Sequence, residues 1–126
     1  MSAWLVDTHA LLWFLADDPQ LSGTAKRTME SGDSVLLVSC ASIWEMAIKR
    51  SLGKLWAPDN LPSLLREEGF ETLAIEPEHA WAVRDLAPSD HKDPFDRLLA
   101  VQAKAENLPV ISNDPQLDRY GIQRAW

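Results

Sequence analysis

Trp4-Leu5-Val6-Asp7-Thr8-His9-Ala10-Leu11-Leu12-Trp13 decides how this chain folds. Trp4 to Val6 is a short apolar run that reads as a buried strand, and it ends on an acid. Thr8 then opens an apolar helix, Ala10 to Ala16, which stops before Asp17-Asp18-Pro19. The apolar side chains of that helix point in every direction, so it belongs at the centre of the core or in a protein interface. A strand feeding directly into a helix is the start of a βα unit, and the rest of the chain repeats the alternation.

Ser22 caps a second helix that runs through Met29 and is closed by Gly32. Val35-Leu36-Leu37-Val38 is continuously apolar, the pattern of a strand covered on both faces. A helix from Ala41 to Leu52 follows, with Lys49 and Arg50 in its last turns and Gly53 at its end. Pro62 starts a helix running to Gly69, Phe70 to Ile75 forms a strand, and Pro77 starts a helix through Leu86. After a polar connection from Ala87 to Asp93, Pro94 begins a long helix to Asn107. Val110-Ile111-Ser112 is a last inner strand, and Ile122 to Trp126 adds an edge strand. Strands alternating with helices imply an α/β fold with a mainly parallel sheet.

The length of 126 residues suits one domain, 1–126, with a core that needs no disulfide. The one cysteine, Cys40, cannot pair within the chain, which fits a reducing compartment. No lysine or arginine precedes the first apolar stretch and Asp7 interrupts it, so it does not read as a signal peptide. No run approaches the ~20 apolar residues of a membrane span. The expectation is a cytoplasmic protein with no membrane partner. The net charge of -7 argues against a protein that grips nucleic acid over its whole surface, and leaves room for acids concentrated at one site.

In parallel sheets, ligands bind beyond the carboxyl ends of the strands. Asp7 follows the first strand, Glu45 lies early in the helix after the second, Asp96 opens the Pro94 helix, and Asp114 follows the last inner strand. All four are expected at one edge of the sheet. Two carboxylates about 5 Å apart at an effective dielectric of about 20 repel by about 3 kcal/mol, so such a cluster calls for a cation. Oxygen donors without cysteine or paired histidines favour Mg²⁺ or Mn²⁺ over Zn²⁺. Such an ion can hold a phosphoryl oxygen and lower the pKa of bound water, the chemistry of phosphodiester cleavage.

Plain structural roles compete for each acid. Ser42-x-x-Glu45 has the form of a capping box, and Asp93 is placed to cap a helix with Asp96 in its first turn. Asp114 before Pro115 suits a turn. Asp7 is hardest to explain this way, because an acid ending a buried strand is costly without a partner. His9 either faces the site or hydrogen-bonds in the core; His79 is structural or exposed; His91 sits in the polar connection, where it could meet substrate. Asp7-Thr8-His9 lacks the second acid two residues on that an aspartyl-phosphate hydrolase uses. Lys92 and Arg97 flank Asp96 as a nucleic-acid track, while Lys49, Arg50 and Lys54 read as a solvated helix end.

Four stretches, taken in order, resemble the PIN-domain family and, within it, the VapC-type toxins of toxin–antitoxin pairs. They are Leu5-Val-Asp-Thr-His-Ala-Leu-Leu-Trp13, Val38-Ser-Cys-Ala-Ser-Ile-Trp-Glu-Met-Ala-Ile-Lys49, His91-Lys-Asp-Pro-Phe-Asp-Arg-Leu-Leu99 and Val110-Ile-Ser-Asn-Asp114. The resemblance spans Leu5 to Tyr120. It implies a PIN-like three-layer α/β/α sandwich and an Mg²⁺- or Mn²⁺-dependent endoribonuclease. Asp7, Glu45, Asp96 and Asp114 match the family's catalytic and metal-holding acids, Thr8 and Ser112 match supporting hydroxyls, and Asp93 matches a helix-capping acid. It further implies a homodimer restrained by a VapB-type antitoxin, with Trp13, Trp44 and Trp56 either lining its groove or filling core. The last motif departs from the family at Leu117, where many members carry an aromatic. Two rivals stand beside this reading: a metal-dependent hydrolase of small phosphate esters, and a PIN-like module without activity that binds RNA or a partner.

Overall fold

The computed structural model describes residues 2–86 and 92–126. Five strands, β1 (Ser2–Val6), β2 (Ser34–Ser39), β3 (Glu71–Leu73), β4 (Val110–Ile111) and β5 (Arg124–Ala125), form one sheet in the order β3-β2-β1-β4-β5. Every pairing is parallel, with Leu5 opposite both Leu37 and Val110. The helices are α1 (Thr8–Leu15), α2 (Gly23–Glu30), α3 (Cys40–Ser51), α4 (Leu61–Glu67), α5 (Pro77–Ala82) and α6 (Pro94–Ala105). Short 3-10 turns occupy Val83–Asp85 and Pro115–Tyr120.

Successive strand residues face opposite sides, so each strand feeds two cores. Val6, Leu36, Val38 and Ile111 pack with Leu11, Met46 and Leu65 on one face. Leu5 and Val110 pack with Leu99, Val101 and Leu117 on the other. Helices thus cover both sides of a parallel sheet, the α/β class expected from the alternation and the three-layer α/β/α sandwich that the resemblance implied. Continuous apolar runs such as Val35–Val38 are what such a sheet needs, because neither face meets water.

The chain starts on the central strand, adds β2 and β3 on one side, and then crosses to lay β4 and β5 on the other. The strand order therefore reverses between β1 and β4, opening a crevice at their carboxyl ends. Asp7 N–H donates to Ile111 O at 3.1 Å, which ties the two strands together at the mouth of that crevice.

Local signals and structure differ in a few places. The helix α2 ends at Glu30 with Ser31 already extended, so Gly32 does not close it; Gly53, at φ 70°, does follow α3 as expected. The helix from Pro77 gives way at Val83 to a 3-10 turn. The strand expected over Phe70–Ile75 narrows to Glu71–Leu73, whose first two residues are exposed, as suits an edge. The connection around Pro88, including His91, lies outside the described residues. Among the described residues no helix is long and apolar enough to cross a membrane.

The capping box read at Ser42 and Glu45 does not form. Ser39 caps α3 instead: its Oγ accepts from Ala41 N at 3.0 Å while donating to the Oε1 of Gln102 on α6. Gln102 is fully buried and donates through Nε2 to Ala74 O at 3.2 Å, so one amide joins β2, α6 and the exit of β3. Ser39→Ala removes a helix cap and leaves that amide oxygen short of a donor. It is expected to cost about 2 kcal/mol, read as a lower midpoint in urea unfolding.

Candidate metal centre and active site

Asp7, Glu45, Asp96 and Asp114 all line one cleft of about 660 Å³. The four come from four different elements, and the parallel topology brings them together. Ser42, Glu45 and Lys49 share one face of α3 at helical spacing, and Asp96 and Leu99 share one face of α6. Trp13, Phe95 and Pro115 form apolar parts of the wall.

Asp7 is buried at the end of β1 and caps α1, its Oδ1 accepting from Ala10 N at 2.9 Å. Burial pushes its carboxyl pKa up, against the pull of hydrogen bonds from Ser112 and Ala10 and of nearby His9; the neighbouring charge of Asp114 pushes it further up. The Ser112 hydroxyl therefore does two jobs: it donates to Asp7 and accepts Asp114 N–H at 3.0 Å. Asp114 in turn caps the 3-10 turn that follows, accepting from Gln116 N at 2.9 Å. The turn-forming role expected of Asp114 is real, and it coexists with a place in the cleft.

Glu45 is buried and held at both oxygens. Thr8 Oγ1 donates to Oε1 and Lys49 Nζ to Oε2, each at 2.6 Å. The pairing raises the Lys49 pKa, chiefly through the hydrogen bond to Glu45, with smaller contributions from Asp93 and Asp96. Lys49 is thus a wall of the cleft and not the solvated helix end that its sequence position suggested. The signal was present: Glu45 and Lys49 are one helical turn apart, the spacing of an ion pair.

Asp93 caps α6, accepting from Phe95 N at 2.9 Å and Asp96 N at 3.2 Å, as its place before Pro94 implied. Asp96 lies in the first turn, half-buried. The supporting hydroxyls Thr8 and Ser112 are both buried beside the acids. Lys92 is exposed and Arg97 half-buried, and neither lines the cleft. His9 is exposed on the cleft wall, with its ring 5.7 Å from that of Trp13. His79 is structural: it is buried, its Nδ1 accepting from Glu76 N and its Nε2 facing Glu106 at 2.9 Å.

Among the described residues, no three His, Cys, Asp or Glu side chains converge closely enough to cage an ion. The acids share a cleft but are each drawn to a local partner, Glu45 most of all. The donor set nonetheless suits a hard divalent cation. It is all oxygen, it contains a carboxylate whose burial disfavours its charge, and no cysteine lines the cleft.

Such a fold and site define a class: a parallel α/β sandwich with an acidic cleft at its switch point. The chain belongs to the PIN-domain family, whose model matches residues 4–123. It is similar to ribonuclease VapC22 of Mycobacterium tuberculosis, with 28% identity over 119 residues, 93% of this chain and 91% of that protein. Its fold is similar to that in the crystal structure of VapBC2 from Rickettsia felis bound to a DNA fragment from their promoter. There the TM-score is 0.71 and the identity 14%, over 98% of this chain and 97% of that one. FitAcB from Neisseria gonorrhoeae gives a TM-score of 0.59 and 18% identity, over 95% and 94% of the two chains.

The raised Asp7 pKa has a consequence for stability. A carboxyl whose folded pKa lies above its unfolded 3.8 favours folding below 3.8, and that advantage is lost as pH rises through the folded value. Asp7→Asn keeps an oxygen for the α1 cap and removes the charge. The variant is expected to melt above the wild type at pH 7 in metal-free buffer, with the gap closing as pH falls towards 3.8. Melting curves over that range check it.

Proposed function

We propose that this protein is a metal-dependent endoribonuclease and acts as the toxin of a VapBC-type toxin–antitoxin pair. One observation carries the reading: Asp7, Glu45, Asp96 and Asp114, remote in sequence, line a single cleft at the switch point of a PIN fold. Likeness to ribonuclease VapC22 supports RNA as the substrate. The protein works as one domain over 1–126, in the cytoplasm, with Mg²⁺ or Mn²⁺.

In this reading Asp7 and Asp96 hold the ion, with Glu45 and Asp114 completing its oxygen environment. A divalent ion bound there supplies Lewis acidity towards a phosphoryl oxygen and a water of lowered pKa. The chain's own residues do the positioning. Thr8 fixes the Glu45 carboxylate, and Ser112 links Asp7 to the backbone of Asp114, so the acids before α1, on α3 and after β4 keep their spacing. Caps at Asp7, Asp93 and Asp114 fix the starts of α1, α6 and the last 3-10 turn on the cleft wall, their carboxylates accepting the first-turn N–H groups. The open cleft admits a chain, and hydrolysis of its phosphodiester leaves a 5′-phosphate and a 3′-hydroxyl. Lys92 and Arg97, at the start of α6 outside the cleft wall, steer the RNA backbone towards it.

The partner is a VapB-type antitoxin, and the chain forms a homodimer. The fold's likeness to VapBC2 and FitAcB supports the pairing. Trp44, Leu52 and Trp56 are all more than half exposed on α3 and the loop after it. Large apolar side chains exposed to this extent suit a protein contact better than water.

Asp7→Ala and Asp96→Ala are expected to lower cleavage of a labelled RNA in Mn²⁺ by at least a hundredfold and to relieve growth arrest on expression. Their circular dichroism spectra should stay those of the wild type. Full cleavage by either variant would place the chemistry elsewhere. RNA binding should also weaken steeply from 50 to 200 mM salt, and less steeply in Lys92→Ala and Arg97→Ala.

A further inference from the structure

Lys49 is the cation that the carboxylate cleft carries within its own wall. An i,i+4 Glu–Lys pair on an exposed helix is a minor surface contact. This one differs in its surroundings. The Glu45 side chain is 7% exposed and that of Lys49 33%, and the ammonium meets the carboxylate at 2.6 Å on the cleft side of α3. A buried carboxylate without a counter-charge is costly, so the pair answers for Glu45 in the metal-free protein. A divalent ion drawn to the same acids meets a positive charge already seated on one of them.

We propose that Lys49 is a resident counter-ion that competes with a divalent cation for Glu45, and so sets how tightly the cleft binds metal. The inference rests on the metal-dependent reading above and adds a residue which that reading does not use. The lysine stem is flexible and its ammonium well hydrated, so it can leave Glu45 for the open side of the cleft when a stronger cation arrives. Thr8 stays on Oε1 and keeps the carboxylate facing the same way during the exchange.

Calorimetric titration of Mn²⁺ into the metal-free full chain tests this, using wild type, Lys49→Gln, Glu45→Gln and the double variant. Lys49→Gln is expected to bind Mn²⁺ about tenfold more tightly, because the ion then no longer has to displace a charge-assisted hydrogen bond from Glu45, a contact whose loss is worth about that factor. The gain should vanish in the Glu45→Gln background. Unchanged or weaker binding by Lys49→Gln, with the wild type binding normally, overturns the competition and leaves the nuclease reading standing. A gain that survives Glu45→Gln also overturns it, since the lysine would then act only as a distant charge. If none of the four proteins binds Mn²⁺, both readings fall. Should Lys49→Gln not fold, the wild type still decides. Saturation with Mg²⁺ is expected to move the Lys49 side-chain ¹⁵N resonance to that of a solvated lysine, and a resonance that stays in place overturns the proposal.

Discussion

A carboxylate taken out of water at the end of the central strand is the constraint around which the site is arranged. Asp7 follows Val6 directly, and Val6 is fully buried between two layers of side chains. The chain cannot move Asp7 to solvent without pulling β1 from the sheet or unwinding α1, whose first turn it caps. Three of its neighbours support negative charge, the Ser112 hydroxyl, the N–H of Ala10 and the imidazole of His9, while the Asp114 carboxylate opposes it. They offset its desolvation only in part, because the pKa still rises. A cation would complete the balance, and the cleft leaves room for one.

The second acid shows another solution to the same problem. Glu45, just as buried, is answered by Thr8 and Lys49 from within the protein. The two sites are linked, because Thr8 is the residue after Asp7 and opens α1. Strand end, helix start and acid cluster are therefore one unit, and a shift of α1 against α3 would disturb both carboxylates together. The net charge of -7 also makes sense on this view. A protein that recruits a divalent ion gains from an acidic cleft, and the lysine within it limits the repulsion while the ion is absent.

Much of this was legible in the sequence. Apolar runs bounded by caps gave the alternation of strands and helices, and the general rule for parallel sheets placed all four acids at one edge. Asp93 was readable as a cap because proline follows it directly. What failed was local geometry decided by partners far along the chain. Glu45 looked like a capping residue because Ser42 precedes it by three, yet Ser39 starts the helix and is held there by Gln102, 63 positions away. Lys49 looked solvated because lysines near helix ends commonly are; only the packing of α3 against α6 shows that its face of the helix borders a cleft. The tryptophans divided in the same way, with Trp13 half-buried beside Trp126, Trp56 exposed, and Trp44 largely exposed with its ring edge-on to Phe95. Composition at those positions carried no sign of which would be covered.

The proposed nuclease requires Asp7 and Asp96 to act on one ion. Anomalous diffraction from a crystal soaked in Mn²⁺ measures this directly. The expected result is a manganese peak within ligation distance of both carboxylates, in the crevice between the ends of β1 and β4. A protein that cleaves RNA in Mn²⁺ but shows its manganese away from these two residues would contradict it.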